Sequence, residues 1–118
     1  MIKENMIPKI GEFLNEEFLK PLKISQNKLA KAINVPQNRI SHIINNKRNI
    51  SVDTDLRLCK FFKLSEGYFL RIQDTFEALR VKINIKDELD DITPYEYDED
   101  DSFNIYNKSI PAYACKKK

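Results

Sequence analysis

Five residues within fourteen positions constrain this chain more than any other feature: Ala30, Asn34, Val35, Ile40 and Ile43. Two helices that cross steeply around a short turn make demands at fixed offsets. The first helix needs a small residue at the crossing, which Ala30 supplies. Four positions on, the turn needs a residue that tolerates positive φ, and asparagine does so better than most. Val35 plugs the corner, and Ile40 and Ile43 anchor the second helix from beneath. Leu29 and Ile33 fill the remaining inner positions. This is the spacing of a helix-turn-helix. The alternative is an ordinary helical hairpin in a bundle.

Charge separates the two. No Asp or Glu occurs between Glu17 and Asp53, and those 35 positions hold seven Lys/Arg: Lys20, Lys23, Lys28, Lys31, Arg39, Lys47 and Arg48. An acid-free basic stretch of that length suits a surface that faces a polyanion. The chain as a whole is asymmetric. Residues 1–82 carry 15 Lys/Arg against 9 Asp/Glu, a net of +6, whereas residues 83–118 carry 5 against 9, a net of −4. That split divides the chain into a DNA-binding domain, 1–82, and an acidic extension, 83–118.

Around the motif the pattern is helical throughout. Pro8 sits in a first turn, and Ile10, Phe13, Leu14 and Phe18 follow at helical spacing, with Pro21 marking the end. Ser25 caps the next helix. Pro36 opens the one after it, and Asn45 to Asn49 is a loop. Ser51 caps a fourth helix, with Asp53 and Asp55 placed to favour its dipole and Val52, Leu56, Cys59 and Phe62 as its buried stripe. Ser65 caps a fifth, with Tyr68, Phe69, Ile72, Phe76 and Leu79 inward. Those last four apolar residues also offer a dimer surface. The fold class is all-α: five helices, then an acidic tail that is either disordered or ordered by a partner. Within the tail, Phe103 and Ile105 alternate as in a short strand, and Lys116 to Lys118 form a frayed end.

If the helix opened by Pro36 enters a major groove, its outward residues are Gln37, Asn38, Arg39, Ser41, His42 and Asn45. Gln37, Asn38 or Asn45 can pair bidentately with adenine, and Arg39 with guanine or a phosphate. Gln26 faces the phosphates from the start of the preceding helix. Lys47 and Arg48 grip the backbone after the recognition helix. No catalytic constellation stands out, and no cofactor is called for. His42 is the single histidine, no EF-hand spacing occurs in the acidic runs, and a metal site is not expected. Cys59 and Cys115 lack metal spacing and suit a reducing cytoplasm. No apolar run approaches membrane-spanning length, and no signal peptide is evident at Met1 to Pro8.

Longer stretches carry a resemblance. Gly11-Glu12-Phe13-Leu14, Glu16 to Leu22, Ser25 to Ala30, Val35 to Ser41, Asn45 to Arg48 and Asp53 to Leu58 stand in an order that resembles the HigA-type antitoxins of the Xre/Cro-like helix-turn-helix superfamily. The resemblance covers about residues 7–80. It implies a five-helix Xre-type domain, a homodimer on operator DNA that represses its own operon, and a basic RelE/HigB-like toxin, an mRNA endonuclease, as protein partner. A stand-alone or phage-type regulator without a toxin is the alternative. Lys23 and Asn46 stand where the family commonly has glycine, and Phe69 where tryptophan is frequent.

Overall fold

The computed structural model describes residues 2–99; the expected strand at Phe103 and Ile105, the end at Lys116 to Lys118, and Cys115 lie outside them. Every regular element among the described residues is helical. A 3-10 turn, Glu4–Met6, leads into α1, a continuous rod over residues 10–22. It is followed by α2 (Gln26–Ala32), α3 (Gln37–Ile44), α4 (Val52–Phe62), α5 (Tyr68–Asn84) and the short α6 (Lys86–Asp90). One compact unit runs through Lys86 and a second begins at Asp87. Helix α5 thus continues two residues past the Lys82 boundary expected from composition.

Both prolines of α1 behave differently from expectation. Pro8 lies before the helix, which starts at Ile10, and its carbonyl accepts from Arg80 Nη1 at 2.8 Å. Pro21 lies inside the last turn, and the helix ends only at Leu22. A proline ring there would press on the carbonyl of Glu17 and leave it without a donor. The rod widens to π-type pairing over Asn15–Leu19, with Lys20 N–H reaching back to Asn15 O. A π-bulge relieves that conflict without ending the helix.

Four helices stop on left-handed residues that are not glycine: Lys23, Asn34, Asn46 and Lys63, all with φ between 57° and 63°. Each stop closes with a bond from the following N–H to a carbonyl five residues back: Ile24 to Leu19, Val35 to Ala30, Lys47 to His42 and Leu64 to Cys59, all 2.7–3.0 Å. These are Schellman closures, which satisfy carbonyls the helix end would orphan. Ser25 and Ser51 cap as expected, accepting from Lys28 N and Thr54 N.

The core centres on Leu14, Leu29, Ile40, Ile43, Leu58 and Phe69, each fully buried. Phe18 joins α1 to α4 and α5, its ring 4.8 Å from that of Phe62 and 5.3 Å from that of Phe69. Gly11 lets α1 lie against the end of α3, because a β-carbon there would run into the Ile43 carbonyl. Of the apolar residues offered for a dimer on α5, Phe69 is buried, Ile72 and Phe76 are half-buried and Leu79 is exposed.

The face of α4 is a correction. Thr54, Asp55, Leu58 and Cys59 are buried, whereas Val52 and Leu56 are 62% and 42% exposed. The helix is rotated because Asp55 serves the start of α5 rather than its own dipole. Gly67 N–H donates to Asp55 Oδ2 at 2.7 Å, and Phe69 and Leu70 N–H donate to Oδ1 at 2.9 and 3.2 Å. Helix α5 begins at Tyr68 after Gly67, which takes φ 88° and offers no side-chain cap. Ser65 therefore does not cap it; its hydroxyl accepts from Arg71 instead. A carboxylate at the head of a 17-residue helix meets both free N–H groups and the positive end of the dipole.

Asp55→Ala leaves one buried and two part-buried N–H groups without their acceptor and should cost about 3 kcal/mol, read from the urea midpoint. Asp55→Asn, which keeps shape but not charge, should cost clearly less. A loss under about 1 kcal/mol for the alanine variant would contradict the capping role.

Candidate nucleic-acid interface

The turn between α2 and α3 takes the form its residues require. Asn34 has φ 60°, Ala30 is buried and its carbonyl accepts from Val35 N–H at 3.0 Å, and Ile40 and Ile43 are fully buried under α3. With those isoleucines fixed, about 100° per residue sets every other side chain of α3. Gln37, Ser41, Asn45, Asn38 and His42 then fall within an arc of about 140° opposite the core. All but the half-buried Ser41 are exposed. Asn45 Nδ2 lies 3.3 Å from Ser41 Oγ, which aligns two of these polar groups along one line. Gln26 is half-buried at the first position of α2.

Arg39 departs from this stripe. It falls on the flank of α3, 26% exposed, and Nη1 donates to Asp53 Oδ1 at 2.9 Å. Arg57 Nε donates to the same oxygen at 2.8 Å. Arg57 Nη1 also reaches Ile33 O at 2.9 Å and Asn34 O at 3.3 Å. The chain Arg39–Asp53–Arg57 therefore links the recognition helix to α4 and to the turn itself. From sequence Asp53 reads only as a first-turn acid of α4, and Arg57 has no assigned role. Their signal was there in weak form, as an i, i+4 acid–base pair directly after the acid-free window.

Lys47 and Arg48 are exposed in the loop after α3. The loop is held from α5: Gln73 Oε1 accepts from Ile50 N–H at 2.7 Å and Nε2 donates to Ile50 O at 2.9 Å. Ile50 is itself buried. Arg48 also lines a cleft of about 210 Å³ with Lys9, Asn46, Asp74, Glu77 and Arg80. No group of His, Cys, Asp and Glu among the described residues could hold a metal ion. Burial pushes the Cys59 thiol up, and Sγ lies 3.6 Å from Asp55 Oδ1 as a weak donor in the core.

These features make a two-helix unit whose second helix carries short polar groups outward, rimmed by Lys47 and Arg48. The helix-turn-helix family model matches residues 16–69. Virulence-associated protein I of Dichelobacter nodosus is 36% identical over 97 residues, 80% of this chain and 89% of that protein. The chain belongs to the Xre-like helix-turn-helix family. Members of this family are DNA-binding regulators and antitoxins, not enzymes. Several solved structures share the fold over about three-quarters of the chain, two HigA proteins among them. An addiction module antidote protein of the HigA family from Coxiella burnetii has TM-score 0.69 and 36% identity, over 75% of this chain and 98% of that one. Pseudomonas aeruginosa antitoxin HigA with the higBA promoter has TM-score 0.69 and 26% identity, over 76% and 99%. No helix among the described residues is long and apolar enough to cross a membrane.

The hydrogen bond from Arg57, together with the charges of Arg57 and Arg39, holds the Asp53 carboxyl below the usual carboxylate range. The folded-state value being the lower one, this contribution to stability is complete above about pH 4 and is lost as the pH falls through the folded-state value. The melting-temperature gap between the wild type and Asp53→Asn should therefore narrow between neutral pH and about pH 3. A gap independent of pH would contradict the ion-pair assignment.

Proposed function

We propose that this chain is the antitoxin and autorepressor of a toxin–antitoxin pair. It binds double-stranded operator DNA as a homodimer, with α3 in the major groove of each half-site. Gln37, Asn38, Ser41, His42 and Asn45 face the base edges, and Gln26, Lys47 and Arg48 take phosphates. Arg39 flanks this set. The observation that carries the reading is the polar stripe of α3, opposite a buried isoleucine pair and free of acids. The two HigA structures support it, one of them solved with the higBA promoter. A two-fold dimer places its half-sites about one helical turn apart.

The acidic extension is the surface for a basic RelE-like toxin. Asp87, Glu88 and Asp90 lie on or next to the exposed turn of α6, and the Tyr95 and Tyr97 rings pack edge-on at 4.7 Å among further acids. Acids interleaved with aromatics suit a cationic partner, through charge complementarity and cation–π contact.

On operator DNA, Asn45→Ala and Gln37→Ala should each weaken binding by about 1–3 kcal/mol, with little change on random duplex. Lys47→Ala should weaken both alike. Gel shifts in which neither stripe variant changes operator affinity would contradict the assignment. For the toxin, the neighbouring small basic protein should be captured by the full chain and less well by a chain lacking residues 87–118. Equal capture would remove the tail from the interface. No capture by either would leave a stand-alone regulator.

A further inference from the structure

Asp53 is the first acid after the acid-free window, and it lies at the edge of the surface that window builds. One of its carboxylate oxygens accepts from two guanidinium groups, Arg39 at 2.9 Å and Arg57 at 2.8 Å. A carboxylate oxygen in that position offers a guanidinium the same charge-assisted hydrogen bond as a phosphate oxygen. The two arginines are not equivalent. Arg57 is also tied to the carbonyls of Ile33 and Asn34 at the end of α2, where a cation is favoured by the helix dipole. Asp53 is the one side-chain partner of Arg39 among the described residues. The Asp53 side chain is 58% exposed, so a competing anion can reach the pair.

We propose that Asp53 is a specificity-determining residue: it occupies Arg39 as a DNA phosphate would, and Arg39 engages only DNA whose acceptors displace it. This rests on the reading of α3 as the DNA-facing helix. On a random duplex, moving Arg39 from Asp53 to a phosphate exchanges one exposed ion pair for another and gains little. A guanine edge, with O6 and N7 side by side, offers two bonds where Asp53 gives one. The carboxylate thus subtracts Arg39 from the sequence-independent attraction and leaves it available to the operator. Arg57 keeps Asp53 in place through its second anchor on the turn.

The test is the salt dependence of binding to a labelled random-sequence duplex. It uses fluorescence anisotropy between about 50 and 200 mM salt, where the slope counts phosphate contacts. Wild type, Asp53→Asn, Arg39→Ala and the double variant are compared. Asp53→Asn should bind the random duplex more tightly at low salt, with the log–log slope steeper by about one. In the Arg39→Ala background the same substitution should leave the slope nearly unchanged. If Asp53→Asn leaves the slope at the wild-type value, Asp53 does not restrain Arg39. If the slope steepens equally with Arg39 removed, Asp53 acts only as a repelling charge, and the proposal fails. A wild type that binds neither this duplex nor the operator overturns the DNA-binding reading and this one with it. Melting curves check folding, and Asp53→Ser replaces Asp53→Asn if the latter melts too low.

Discussion

The carboxylate of Asp55 is the interaction on which the positions of the other parts depend. It is 0% exposed and closes three N–H groups at the head of α5. That closure fixes the corner between α4 and α5, and both helices then act on the recognition unit. From α5, Gln73 grips Ile50 and sets the loop that carries Lys47 and Arg48. Further along α5, Arg80 holds the Pro8 carbonyl ahead of α1. From α4, Asp53 and Arg57 hold α3 and the turn before it. A rigid frame behind a recognition helix is what precise contact with base edges requires.

Helix ends supply the second constraint. The chain has two glycines, and neither ends a helix: Gly11 admits the close approach of α1 to α3, and Gly67 sits at the head of α5. The left-handed stops fall to asparagine and lysine. Asn34 and Asn46 flank the recognition helix on either side, and asparagine enters this region with modest strain. Lys23 and Lys63 carry a steric cost of about 1–2 kcal/mol each, offset by the carbonyls their closures satisfy. The stop at Asn34 ends α2 ahead of the recognition helix, and the stop at Asn46 ends α3 and sets the direction in which the loop departs.

The recognition unit was legible because its demands are local. Ala30, Asn34, Val35, Ile40 and Ile43 act within fourteen positions, and Ser25 and Ser51 cap their own helices. What local rules missed depends on partners distant in sequence. Asp55 reads as a first-turn acid until α5 arrives to be capped, and Val52 and Leu56 read as core until that capping rotates α4. Ser65 has cap chemistry but lost the place to Gly67. Pro21 reads as a stop because a π-bulge leaves no pattern in the sequence. Arg39 was grouped with the stripe by residue type, whereas its angular position and Asp53, fourteen residues on, place it at the flank.

The central claim is that the outer face of α3, held from behind by α4 and α5, meets the operator. Titration of isotope-labelled protein with an operator duplex, followed by amide and side-chain NMR shifts, tests it most directly. The account predicts the largest changes at Gln37, Asn38, Ser41, Asn45, Lys47 and the start of α2, with Leu79 to Ile83 nearly still. Shifts concentrated on α5, with the α3 stripe unmoved, would contradict it.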